Sequence, residues 1–260
     1  SDTIPAIPHV DRLRSNSLLE TLNVTEKGVK AALGAGEGMT GSSLILVSND
    51  GSRTMNTHLG MCQELEPDDI DEKVLSSTSI LYLTGFLWDT ESQKASVRHA
   101  LEMAENLPVK VALSLSDPFC VERHREAFIE LVDNHVNILF ANEDEITSLY
   151  QVDNFDYALQ HVRGHCDIAA LTCGAKGSAV IAGDEMHVVD AEHVAHVVDT
   201  TGAGDLYAAG FLYGITHDFD LARCGRLGAL AAAEVVSHFG PKPKSDITQL
   251  VAASARPLAS

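Results

Sequence analysis

Asp199-Thr200-Thr201-Gly202-Ala203-Gly204-Asp205 stands between an apolar run, Val194-Ala195-His196-Val197-Val198, and a helical pattern from Leu206 to Ile215. That order predicts a strand, a glycine-rich turn and a helix. Three small residues, Gly202, Ala203 and Gly204, let a ligand approach the backbone. They leave the first helical amides facing outward, where the positive end of the helix dipole favours an anion. A phosphate suits such a place. Asp205 opens the same helix, where a carboxylate is placed to take the proton of an attacking hydroxyl during phosphoryl transfer. The plainer reading is a generic helix cap, because Asp199, Thr200 and Thr201 are ordinary N-cap residues and glycine before a helix is often only a turn.

Downstream, Leu206 to Ile215 and Cys224 to His238 read as two packed helices, the second ending at Gly240 before Pro241. Upstream, short apolar runs alternate with helical segments. Strands are expected at Ser79 to Thr84, Val109 to Leu115 and Val136 to Phe140, with helices at about Asp89 to Glu105 and Val121 to Val132 between them. Runs too short for helices, each followed by a helix, predict a mostly parallel α/β sheet covered on both faces, with ligands at the carboxyl ends of its strands. Two further strands, Ile168 to Leu171 and Ser178 to Ile181, flank Thr172-Cys173-Gly174-Ala175-Lys176-Gly177, for which a tight β-turn would account. Asn142-Glu143-Asp144-Glu145 follows the third strand and reads locally as an acidic helix N-terminus.

Nearer the amino end, Ser43 to Ser48 and Ser52 to Thr57 surround Asn49-Asp50-Gly51, which is strong hairpin chemistry, with Arg53 beside the tip. Taken alone, Arg53 is a solvated strand residue. Glu64 to Glu72 reads as a solvated acidic connection leading into a helix. Before the hairpin, Pro5 and Pro8 break the start, Leu18 to Leu33 offer one or two short helices, and Gly34 to Gly38 read as a linker.

The 260 residues are 45% hydrophobic, enough for one large domain or a domain with a small appendage. A net charge of −19 without any basic block argues against a nucleic-acid partner. It leaves a single nucleotide open, since local amides, a metal ion and a few basic side chains suffice to hold one. Cys62, Cys120, Cys166, Cys173 and Cys224 have no paired short spacing, so neither zinc nor a disulfide framework is indicated. His161 and His165 have i, i+4 spacing, but Gly164 weakens the helix and surface histidines are the better reading. No Gly-x-Ser-x-Gly elbow and no Walker-type string is present. With no apolar stretch long enough to span a membrane and no leader pattern, a soluble cytoplasmic chain is expected.

The heptapeptide at 199 to 205 resembles the signature of the ribokinase-like (PfkB) family of carbohydrate and nucleoside kinases. Support comes from the Asn142-x-x-Glu145 element, the Thr172-x-Gly174-x-x-Gly177 loop, and Arg53-Thr54-Met55-Asn56-Thr57-His58-Leu59-Gly60, which is similar to the lid edge of the adenosine kinase branch. The likeness runs from about Thr40 to Pro243. It implies a ribokinase-like fold with a small β lid at 40–60 and a nucleotide-binding and catalytic core at 74–260, with 1–37 unassigned.

By the same resemblance, Asp205 is the catalytic base, the amides of Gly202, Ala203 and Gly204 form the anion cradle, and Arg53 reaches the transferred phosphoryl group. Thr172, Gly174 and Gly177 meet the phosphates of ATP. Asn142 and Glu145 organise Mg²⁺ through water, the Gly240 loop closes over adenine, and Asp199 with Thr201 holds a monovalent cation such as K⁺. The implied reaction is ATP-dependent phosphorylation of a primary hydroxyl, with adenosine the first candidate acceptor. A ribokinase-like or fructokinase-like sugar kinase and a noncatalytic nucleotide-binding remnant are the alternatives. Residues 1–37 resemble neither the family's amino-terminal strand with its acceptor-binding Asp nor its Gly-Gly-Asn segment. A divergent member or a truncated one is therefore expected.

Overall fold

Strand boundaries follow the apolar runs, and helix starts follow the caps. The computed structural model describes residue 39, residues 41–245 and residues 247–255. The expected segment 1–37, with its short helices and glycine linker, lies outside these residues.

Strand β1 (Ser42–Val47) and strand β2 (Arg53–His58) pair antiparallel as a separate two-stranded sheet. Its turn closes through Gly51 N to Ser48 O and Ser52 N to Asp50 Oδ1, the Asx chemistry expected of Asn-Asp-Gly. The acidic connection forms two 3₁₀ turns, Gly60–Glu64 and Pro67–Asp69, and then the short α1 (Glu72–Ser76). The main body follows as β3 (Ile80–Thr84), α2 (Glu91–Ala104), β4 (Lys110–Ser114), α3 (Pro118–Asn134), β5 (Ile138–Asn142), α4 (Glu143–Tyr150), α5 (Phe155–His161) and β6 (Ile168–Thr172). It continues with β7 (Ser178–Ala182), β8 (Glu185–Val189), α6 (Ala203–Thr216), α7 (Leu221–Val236) and α8 (Ile247–Ser254).

The six-stranded sheet has the order β3-β4-β5-β6-β7-β8, parallel from β3 to β6 and antiparallel at β7 and β8. Side chains alternate between its faces. Val111, Leu113, Leu139, Ala141, Ala169 and Leu171 face one way, into a core with Val97 and Leu101 of α2, Phe128 of α3 and Ile146 of α4. Ala112, Ile138, Phe140, Ile168 and Ala170 face the other way, against Tyr207 and Phe211 of α6 and Cys224 of α7. Phe140 meets Phe211 edge to face at 5.5 Å between ring centroids. Helices on both faces of a mostly parallel sheet are thus present as expected.

The structure departs from the sequence reading in several places, α5 and α8 being helices that reading did not give. Val194 to Val198 is not a strand. Its end instead bonds to the last turn of α7, Val198 N donating to Val236 O at 2.8 Å, and Thr200 N donates to Gly51 O, so no ladder forms. Conversely, β8 was not anticipated; it pairs with β7 across the two-residue turn Gly183-Asp184. Among the described residues, no helix is long and apolar enough to cross a membrane.

Candidate active site

Every α-helix with a described N-cap, except α6, is capped by a side chain: Asp71, Thr90, Asp117, Asn142, Asn154 and Asp220 each accept a backbone amide. Helix α6 begins instead at Gly202, in the left-handed region at φ 83°, with no side-chain cap. A Cβ on Gly202 would also lie 2.9 Å from Pro241 Cβ, so glycine is required by the fold itself. Gly204 is different. Nothing lies within 4 Å of where its Cβ would stand, so packing makes no demand for glycine there.

The amides of Gly202, Gly204 and Asp205 find no acceptor among the described residues, while that of Ala203 bonds to Thr200 O at 3.2 Å. Of the three amides expected to form a cradle, those of Gly202 and Gly204 are open and that of Ala203 is not. The open donors belong to Gly202, Gly204 and Asp205, because the turn at Thr200 consumes the middle one. Asp205 itself is exposed at the start of the helix.

Asp199 is 4% exposed, and its two carboxylate oxygens accept Thr201 N at 2.9 Å and Gly240 N at 3.0 Å. Burial pushes its carboxyl up, but hydrogen bonds from Thr201 and Gly240 and the charge of Arg53 outweigh it and hold it below the usual range. The buried Thr201 hydroxyl makes no hydrogen bond of good geometry among the described residues, although it lies near enough to Asp199 to help hold that carboxyl down. Arg53, at the start of β2, donates from Nη1 to Thr200 Oγ1 at 2.9 Å across 147 residues of sequence.

At the carboxyl ends of the parallel strands, Thr84 pairs with Ser114 and Asn142 with Thr172. Asn142 and Glu145 form a reciprocal capping box: Asn142 N and Nδ2 donate to the two Glu145 oxygens, and Glu145 N donates to Asn142 Oδ1. Burial, then the nearby Asp117 and Asp144 carboxylates, push Glu145 up to about 7 against the opposing Asn142 amide and Arg53 charge. Tyr82 is pushed up to about 12 mainly by burial, with the Asp205 and Glu145 carboxylates adding to the rise.

The 172–177 loop folds back through Cys173 N to Gly177 O at 2.8 Å. A Cβ on Gly177 would lie 2.1 Å from Val189 O, so close approach to the end of β8 explains that glycine without a ligand. Gly174, at φ 53°, meets nothing within 4 Å. The loop reaches the start of α4 through Glu143, whose Oε2 accepts Cys173 Sγ at 2.7 Å and lies 3.5 Å from Lys176 Nζ.

The structure thus joins Arg53, Asp199, Thr201, the 202–205 turn and Gly240 by direct contact or through Thr200, whereas no hydrogen bond or ion pair among the described residues joins Asn142 or Glu145 to that group. No hydrogen bond or ion pair among the described residues links the 172–177 loop to the 199–205 turn. Thr200 and Glu143 were missed as connecting residues. In sequence Thr200 reads only as a cap, and no local signal reveals a partner so distant in sequence. His161 and His165 both pack against Tyr150, and no group of three or more His, Cys, Asp or Glu among the described residues is gathered to hold a metal directly.

The family model for pfkB family carbohydrate kinases matches residues 18–248. The chain is 29% identical over 206 residues to an uncharacterized sugar kinase of Archaeoglobus fulgidus, covering 79% of this chain and 80% of that one. It is 34% identical over 116 residues to a nucleoside kinase of Methanocaldococcus jannaschii, covering 45% of this chain and 37% of the relative. The solved adenosine kinase of Sinorhizobium meliloti superposes with a TM-score of 0.86 at 39% identity, covering 93% of this chain and 75% of that one.

Proposed function

The chain belongs to the pfkB family of carbohydrate kinases, and from that premise we propose that it transfers the terminal phosphoryl group of ATP to a primary hydroxyl of a nucleoside, with adenosine the first candidate. It is a phosphotransferase of the sugar and nucleoside kinase class, and kinases of this family use ATP. The observation that carries the finer reading is the uncapped start of α6. Three amides without acceptors, a small residue facing open space at Gly204 and an exposed carboxylate at Asp205 meet at one turn.

In this reading Asp205 takes the proton from the acceptor hydroxyl as it attacks. The amides of Gly202, Gly204 and Asp205 stabilise the charge on the phosphoryl oxygens, with the helix dipole behind them. Arg53 closes from the lid hairpin, where its planar fork suits phosphate oxygens. Thr172, Gly174 and Gly177 border the phosphate chain of the nucleotide, and the Gly240 loop, pinned by Asp199, covers its base. When bound, ATP supplies the phosphoryl group and Mg²⁺ offsets the charge on its oxygens.

Asn142 and Glu145 would hold that metal through water, since both Glu145 oxygens already accept protein hydrogen bonds. Three neighbouring carboxylates, Asp117, Asp144 and Glu145, make an oxygen-rich setting that suits a hard divalent cation. Asp199 and the buried hydroxyl of Thr201 suit a monovalent cation.

The test is transfer of labelled phosphate from ATP, with Mg²⁺, to adenosine, ribose and fructose offered separately. Adenosine is expected to be labelled. Asp205→Asn should lower turnover by about 10²-fold or more while ATP affinity stays within a few-fold. A sugar labelled in preference to adenosine would favour the second reading, a sugar kinase, which the Archaeoglobus fulgidus relative supports. Equal turnover in Asp205→Asn would remove the assigned base. No product from any acceptor, with ATP still bound, would favour a noncatalytic nucleotide-binding protein.

A further inference from the structure

The contact between Arg53 and Thr200 is one part of a larger junction. Thr200 Oγ1 accepts from Arg53 Nη1 at 2.9 Å and donates to Gly51 O at 3.1 Å, while Thr200 N reaches the same carbonyl at 3.2 Å. One residue of the phosphate-side turn therefore holds both the tip of the hairpin and its arginine. Gly51 fits only closely: at φ +80° its Cβ would lie 2.7 Å from Val197 Cγ1. The hairpin is a separate two-stranded sheet whose β2 residues are all exposed, so little else in the described structure orients Arg53.

We propose that Thr200 is a positioning residue for phosphoryl transfer: its hydroxyl clasps the lid hairpin to the anion turn and aims Arg53 at the site. The inference rests on the kinase reading for its catalytic consequence but not for the clasp itself. A hydroxyl is needed because the position must accept one hydrogen bond and donate another; valine keeps the shape and loses both. With the clasp open, the guanidinium samples many rotamers and the site loses a preorganised charge.

Two measurements test this. Amide hydrogen exchange across residues 43–57, in protein without nucleotide, should accelerate in Thr200→Val and remain near wild type in Thr200→Ser. Unchanged exchange in Thr200→Val would overturn the clasp, whatever the protein's activity. In the transfer assay, kcat should fall roughly tenfold to a hundredfold in Thr200→Val with KM for ATP moving only a few-fold, and Thr200→Ser should recover most of it. In an Arg53→Ala background, Thr200→Val should add little further loss. Additive losses would show that Thr200 acts independently of Arg53 and would sink the positioning role. Absence of transfer even in wild type would defeat the kinase reading, while exchange would still decide the clasp.

Discussion

The amide of Gly240 donates to Asp199 Oδ2 at 3.0 Å, joining two loops 41 residues apart at a carboxylate that is 4% exposed. The other oxygen holds Thr201 N, so Asp199 fixes the entry to the turn at 202–205 and the loop after α7 at once.

Asp199→Asn should therefore destabilise the fold at neutral pH by about 1.5–3 kcal/mol, the range for hydrogen bonds to a charged group. The carboxyl is held below its ordinary value of 3.8, so its contribution is present above that value and is lost as pH falls through the lower folded-state pKa. Urea unfolding midpoints of wild type and variant should differ at pH 7 and converge under acid. A constant gap across that range would show that the charge is not what the site uses.

Gly202 and Gly204 should separate by cause. Gly202→Ala puts a side chain at positive φ and against Pro241, and should cost about 1–2 kcal/mol or more. Gly204→Ala meets open space in helical backbone and should leave the melting temperature unchanged or slightly raised. Its added methyl should nevertheless weaken ATP binding, because the space it fills borders the free amides. Thermal melts paired with ATP titration check both. Normal ATP binding in Gly204→Ala would place the phosphates elsewhere.

The parts of this arrangement that were legible in sequence are those written in local chemistry. Asn49-Asp50-Gly51 gave away a hairpin, and the apolar runs at β3, β4, β5, β6 and β7 gave away a buried sheet, because turn and burial preferences act over a few residues. Val194 to Val198 misled for the converse reason. Its apolar residues fit a strand, but which partner takes its backbone hydrogen bonds is decided by α7 and the hairpin, far away in sequence. Strand β8 is as long as its neighbours, but Glu185 and His187 interrupt its apolar run and four of its five residues are not buried, although Gly183-Asp184 was an available turn signal. The glycine-rich turn opening α6 was legible at 202–205, but which of its amides stay open, and the partners of Thr200 and Glu143, needed three dimensions.

Glu143 restrains Lys176 at 3.5 Å and Cys173 at 2.7 Å beside the loop proposed to meet the nucleotide. Replacing it by Gln keeps a hydrogen-bond acceptor and removes one negative charge near a polyphosphate. KM for ATP should fall a few-fold, with kcat little changed and the difference shrinking as salt is raised. A raised KM would mean that the tether shapes the loop more than its charge repels the nucleotide.

Glu145 makes a second pH-dependent prediction, of opposite sign to that for Asp199. It is 6% exposed, and burial, reinforced by Asp117 and Asp144, raises its carboxyl from 4.5 to about 7. The folded chain thus binds this proton more tightly than the unfolded one. The contribution to stability is full below about 4.5 and is lost as pH rises through about 7. In metal-free buffer, wild type should lose stability relative to Glu145→Gln between pH 5 and pH 8, by up to about 3 kcal/mol for a shift of this size. Gln preserves an acceptor for the Asn142 amide, so the cap itself should survive in the variant. Urea midpoints at several pH values measure the difference, and a pH-independent offset would show that Glu145 is ionised throughout. Near pH 7, binding of ATP with Mg²⁺ should release a proton from wild type and less from Glu145→Gln, because a nearby cation favours the carboxylate. Calorimetry in two buffers of different ionisation enthalpy reads that proton directly, and equal release from both proteins would move the metal away from Glu145.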